Sequence, residues 1–176
     1  METRKAIAIR KSVRSFTNEP ISEEQVQELI AAGSAAPVGM GAHQTVKITV
    51  IQNDALIEEL RNLIEKAAER TNFNPFYSPN LLIIVSCQDD PSARGRDISN
   101  ASCVVENMHL AATDLGLGSV ILWGCIKVMA ELPDIHELLQ IPADFVPLVG
   151  LAVGHTTEAI DKAKADKKFL EVNLIH

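Results

Sequence analysis

Five consecutive apolar residues, Leu81-Leu82-Ile83-Ile84-Val85, follow a stretch, Asn72 to Asn80, that holds two prolines and three aromatics. A run this short and this uniformly apolar predicts a strand buried on both faces, in the middle of a sheet. The 176 residues are 47% apolar and 22% charged, enough for one compact domain over residues 1–176 with a sizeable core. Disorder is excluded on the same grounds.

The flanking patterns alternate helix and strand. Ser22 before Glu23, Glu24 and Gln25, with Ile21 and Val26 placed as a hydrophobic staple, predicts a helix whose inner face is Val26, Leu29, Ile30 and Gly33. That helix runs out before Pro37, and Val38-Gly39-Met40-Gly41 makes a flexible loop ahead of a strand over Lys47 to Ile51. Asp54 is the expected cap of the next helix, apolar at Leu56, Ile57, Leu60, Leu63 and Ile64 and reaching about Glu69. A long central helix starts at Asp97 and ends at Leu115, with Gly116 as its left-handed cap. Strands over Ser119 to Trp123 and Val146 to Val153 and a short helix over Asp134 to Leu139 complete the pattern, before a charged tail, Glu158 to Lys168, and the segment Leu170 to Ile175. No GxGxxG or GxxxxGK[ST] follows any strand, so an α/β architecture other than a nucleotide-binding doubly wound sheet is required.

Charge and cysteine usage narrow the function. Sixteen Lys and Arg against 23 Asp and Glu give a net charge of -7, which argues against coating nucleic acid or anionic membrane. Any anion site is then a local basic pocket. Cys87, Cys103 and Cys125 form no CxxC pair and read as small core residues, which fits a reducing cytoplasm. The N-terminus has no apolar signal region, and the longest apolar stretch, Phe145 to Val153, is broken by Pro147 and Gly150, so neither export nor a membrane span is expected. The five histidines show no metal-ligand spacing, and His109 reads as a packed or partly exposed helix residue rather than a catalytic base. GxSxG is absent, so a hydrolase has no anchor.

Three segments remain as candidate chemistry. In Arg10-Lys11-Ser12-Val13-Arg14, an extended backbone projects Arg10, Ser12 and Arg14 from one side, which makes either a phosphate clamp or a solvated basic patch. Pro37-Val38-Gly39-Met40-Gly41-Ala42-His43-Gln44 is a small-residue loop that can lie flat on a planar ligand or simply connect helix to strand. Gly116 to Gly124 runs from a helix cap into a strand ending on Leu122-Trp123-Gly124. Among the late lysines, Lys162, Lys164, Lys167 and Lys168, one can close over a phosphate.

Together, Ala8-Ile9-Arg10-Lys11-Ser12-Val13-Arg14-Ser15-Phe16, Ala36 to Gly41, and Asn107-Met108 through Asp114-Leu115-Gly116-Leu117-Gly118-Ser119 resemble the nitroreductase family of FMN-dependent oxidoreductases. Pro75 to Pro79 and Ile141-Pro142 resemble further landmarks, so the likeness covers nearly the whole chain. The resemblance implies an α/β/α sandwich around a largely antiparallel sheet, built as an intertwined homodimer with FMN at the interface and Leu170 to Ile175 extending onto the partner. It places Arg10 and Ser12 at the FMN phosphate and ribityl chain and Arg14 beside the flavin N1/C2 carbonyl. Pro37, Val38, Gly39, Met40 and Gln44 would lie beside the ring, Leu122, Trp123 and Gly124 near N5, and Lys167 and Lys168 over the phosphate. The chain departs from many members at Ala42, where they carry Asn two residues before the Gln.

The implied activity is ping-pong electron transfer from NADH or NADPH through FMN to nitroaromatic or quinone-type acceptors, with no side chain acting as obligatory acid or base and no metal. The alternative is a flavin-storing or redox-sensing protein with little turnover.

Overall fold

The apolar run becomes strand β2 (Leu81–Gln88), and Leu81 to Val85 are all fully buried in the computed structural model, which describes residues 1–162 and 170–175. Successive strand residues point to opposite faces, and Leu81, Ile83, Val85 and Cys87 therefore enter one core while Leu82 and Ile84 enter another. Both faces need a cover. Helices α2 (Glu23–Ser34) and α4 (Arg94–Asp114) bring Val26, Leu29, Val104, Val105 and Met108 to the first. Helices α3 (Asp54–Ala67), α5 (Gly124–Met129) and α6 (Ile135–Leu139) bring Ile57, Leu60, Ile64, Ile126, Met129 and Leu139 to the second. The result is the three-layer α/β/α arrangement expected.

Among the described residues the sheet has four strands in the order β1-β2-β4-β3, every neighbouring pair antiparallel, with β1 at Val46–Ile51, β3 at Gly118–Leu122 and β4 at Phe145–Gly154. Pro147 sits in the internal strand β4 although it has no N–H to give. Two features accommodate it: β3 pairs only with Gly150 to Gly154, and the β2 register shifts between Val85 and Ser86, opposite this proline. No helix among the described residues is long and apolar enough to cross a membrane.

Helix ends follow their local chemistry. Ser22 and Gln25 form the reciprocal capping box at α2, and Ile21 and Val26 are both buried, as a staple requires. At α3 the cap is Asn53, whose Oδ1 accepts from the Leu56 N–H 3.1 Å away, rather than Asp54, and the helix stops at Ala67 rather than Glu69. Helix α4 begins at Arg94, three residues before the expected Asp97, because a 3-10 turn at Pro91–Ala93, capped by Asp90, leads straight into it. At its other end Gly116 takes φ +73°, with Leu117 N–H bonded to Ala112 O and Gly116 N–H to Thr113 O. This is a Schellman ending, and it drops the chain directly into β3.

The end of β3 differs from the sequence reading. Trp123 does not continue β3 but turns the chain, with φ -121° and ψ -64°, into the unforeseen helix α5. Its six residues span less than two turns, too few for Ile126 and Met129 to stand out as a periodic face. An N-terminal helix, α1 (Thr3–Ile9), buries Ala6 and Ile9.

Nothing lies within 4 Å of the position a Cβ would take at Gly116, so Gly116→Ala meets no clash and only the left-handed backbone penalty. A loss of roughly 1–2 kcal/mol is expected. Urea unfolding checks it, as a lower midpoint at unchanged m-value.

Candidate functional site

The chain leaves α1 at Arg10 in an extended conformation and runs alongside β3. The Val13 N–H donates to Ser119 O at 2.9 Å, and Ser12 and Ser119 form a parallel bridge. Gly118 permits this approach, since a Cβ there would stand 2.7 Å from Val13 Cγ1. Val13 is buried, and by strand alternation Arg10, Ser12 and Arg14 face the other way. Ser12 and Arg14 are exposed and Arg10 is half-buried.

Each cation of this segment is held. Lys11 hydrogen bonds to Ala159 O and pairs with Glu158 at 3.8 Å. Arg14 lies over the Tyr77 ring, 5.8 Å from its centroid, on a loop where Tyr77 and Ser78 both have positive φ. Arg10 reaches α4, with Nη1 2.9 Å from His109 Nε2 and Nε 3.6 Å from Glu106 Oε1. His109 is buried, and its Nδ1 lies 2.6 Å from Ser119 Oγ. A guanidinium only donates, so Nε2 carries the lone pair and Nδ1–H donates to Ser119. The sequence reading took His109 for a packed helix residue, and it is packed. Its bond to Arg10 spans 99 residues and leaves no local signal.

The second segment, Pro37 to Gln44, folds as two single 3-10 turns, Gly39–Gly41 and His43–Thr45. The Gly39 N–H donates to Asn100 Oδ1 at 2.9 Å, which ties the loop to the first half of α4. Met40 has φ +60° and its side chain is 90% exposed, an unusual position for a large apolar group. Pro37 and Gln44 are exposed, and Val38 lines a cavity of about 320 Å³ with Gly33, His43 and Val104. Beside the loop Arg96 pairs with buried Asp97 at 3.3 Å.

In the third segment Leu122 is buried and so offers a ligand only its backbone, while Trp123 is 53% exposed and Gly124 is exposed. Trp123 borders a cleft of about 460 Å³ with Arg94, Ile98, Lys127 and Pro147. Lys167 and Lys168 lie outside the described residues. Leu170, Val172, Leu174 and Ile175 are all exposed, between 70% and 89%.

Within one chain the first and third segments meet along β3, and the second lies apart from them. Asn100 and His109 are nine residues apart on α4, which places the loop and the arginine row about 14 Å apart along its axis and half a turn around it. Thiol chemistry has little support at this site. Burial pushes the Cys87 thiol up to about 12, with the nearby Asp97 carboxylate adding to it, and burial pushes Cys125 up to about 11. Cys103 is exposed on α4, not a core residue as expected, because α4 turns that position away from the sheet.

The profile of the Nitroreductase family matches residues 7–155. The chain belongs to the nitroreductase family. Among curated relatives, an NADPH-flavin oxidoreductase of Vibrio harveyi is 30% identical over 160 residues, covering 87% of this chain and 65% of that protein. The fold matches a nitroreductase with bound FMN from Bacteroides fragilis at a TM-score of 0.83, with 22% identity and all of both chains covered. It also matches an FMN-bound nitroreductase of Desulfitobacterium hafniense at 0.83, with 23% identity over 98% of this chain and 99% of that one. This family member pairs the expected fold with exposed polar and apolar residues at the segments singled out above.

For Cys87 the folded value of about 12 exceeds the ordinary 9.0, so above pH 9 the unfolded chain loses its proton first and stability falls as pH rises toward 12. At pH 8 both Cys87 and Cys125 are protonated in the fold. Alkylation followed by mass spectrometry should modify them only after unfolding in denaturant.

Proposed function

We propose that the protein is an FMN-dependent NAD(P)H oxidoreductase that works as a homodimer and reduces nitroaromatic or quinone-type acceptors. The observation that carries this reading is the row Arg10, Ser12 and Arg14 along β3, in a chain of the nitroreductase family. FMN offers a phosphate and a planar ring, and the residues present fit both. A row of two guanidiniums and a hydroxyl suits the phosphate end. Met40 and Trp123, large apolar side chains left 90% and 53% exposed, suit the ring.

A second copy of the chain completes the reading. Since α4 holds the Gly39 loop and the arginine row apart, a loop from one protomer meets the arginine row of the other. The exposed apolar residues of Leu170 to Ile175 then find cover on the partner. Lys167 and Lys168 belong to the same proposal as cations over the phosphate.

When bound, FMN supplies hydride acceptance at N5 and onward electron transfer, with donor and acceptor using one face in turn. The chain's part is binding and electrostatics. Arg10 and Ser12 anchor the phosphate. Arg14, beside the N1/C2 edge, places a fixed positive charge where electrons accumulate and favours the reduced state. Leu122 and Gly124 present backbone to the ring, and Val38 to Met40 shield it from water. Pro37 and Gln44 frame that loop.

The absorbance spectrum of the purified protein, with NAD(P)H oxidation stimulated by menadione or a nitrofuran, tests the function. A flavin spectrum without acceptor-stimulated oxidation would instead indicate flavin storage or sensing. Arg10→Ala removes a charge-assisted contact of roughly 1.5–3 kcal/mol, so FMN affinity should fall by about ten- to a hundredfold. Titration by flavin fluorescence reads this directly.

A further inference from the structure

His109 is a buried imidazole on the central helix, and its two nitrogens join elements distant in sequence. Nε2 meets Arg10 Nη1 from the segment after α1, and Nδ1 meets Ser119 Oγ from β3. Ser119 is itself 2% exposed, and its carbonyl takes the Val13 N–H. The same residue therefore fixes both the backbone that carries the arginine row and the imidazole that holds the first arginine. Arg10 has rotamer freedom that a phosphate contact must suppress, and an acceptor fixed on its inner side removes much of that freedom in advance.

We propose that His109 is a positioning residue that holds the Arg10 guanidinium ready for an anionic group, and that protonation of His109 disables it. This rests on the reading that Arg10 contacts the FMN phosphate. The neutral imidazole accepts from Arg10. The imidazolium has no lone pair at Nε2 and sets a second cation against the guanidinium, so the two groups must separate. Among the described residues, the charged groups paired in this cluster are Arg10, from the segment after α1, and Glu106 of α4, 3.6 Å from Arg10 Nε. β3 faces it with the Ser119 hydroxyl, and Thr113 of α4 donates to the His109 carbonyl. Glu106 is 44% exposed and pairs with Arg10 without the directed bond that His109 makes.

The test is the ratio of FMN to riboflavin affinity, because riboflavin lacks the phosphate and any general loss of structure moves both ligands together. The ratio is measured by fluorescence titration between pH 5.5 and 8 for the intact protein, His109→Gln, His109→Ala and Arg10→Ala. At pH 8, His109→Gln, whose amide oxygen still accepts from Arg10, should stay within about threefold of the unaltered protein. His109→Ala should lower the ratio by about tenfold. On acidification the ratio of the unaltered protein should fall more steeply than that of His109→Gln, which keeps Glu106 and the same FMN phosphate titration and so subtracts both. Should a His109 variant fail to fold, Ser119→Ala, which removes the partner that fixes the tautomer, should lower the ratio severalfold at pH 8. A low ratio in Arg10→Ala with an unchanged ratio in His109→Ala or Ser119→Ala overturns this inference alone, as do superimposed pH profiles of the unaltered protein and His109→Gln. An unchanged ratio in Arg10→Ala overturns both it and the reading of Arg10 on which it stands.

Discussion

Burial of β2 on both faces is the constraint from which the rest of the architecture follows. A strand with Leu81 to Val85 all withdrawn from water cannot lie at a sheet edge or under a single layer of helices. Its neighbours β1 and β4 satisfy its backbone groups, and the helix pair α2 and α4 on one side and the group α3, α5 and α6 on the other satisfy its side chains. Each fully buried Leu, Ile or Val contributes roughly 1.5–3 kcal/mol relative to exposure, so the centre of this sheet anchors both layers at once.

Helix α4 carries that anchoring to the candidate site. It lies on the sheet through Val104, Val105 and Met108, and it also buries Asp97, Asn100, His109 and Thr113. Two of these reach outward: Asn100 accepts from the Gly39 N–H, and His109 bonds Arg10 and Ser119. The helix that packs the core thus also aims the loop and the arginine row. Position and chemistry share one element.

Much of this was legible in the residues, for identifiable reasons. The staple and capping box at Ser22, the run at Leu81 and the cap at Gly116 are local signals, set by neighbours within four residues or so, and each is where it was expected. The extended segment carrying Arg10, Ser12 and Arg14 was legible because strand alternation is also local. What escaped was short or distant. α5 has too few residues to show a period, and Asn53 and Asp54 are chemically equivalent caps standing side by side. The bond between Arg10 and His109 joins residues 99 apart, so only the folded chain reveals it. Cys103 has the composition of a core residue and the phase of a surface one.

The spacing of Asn100 and His109 on α4 has an implication for how this chain can change. The interval acts as a caliper whose jaws grip the loop at one end and the arginine at the other. Side chains between the jaws, Glu106 and Asn107 apart, are replaceable so long as the sheet-facing ones stay apolar, but the number of residues is not. One inserted residue would swing a jaw through about 100° and advance it by about 1.5 Å, breaking one grip to keep the other. Length, more than identity, is what this stretch of helix has to preserve.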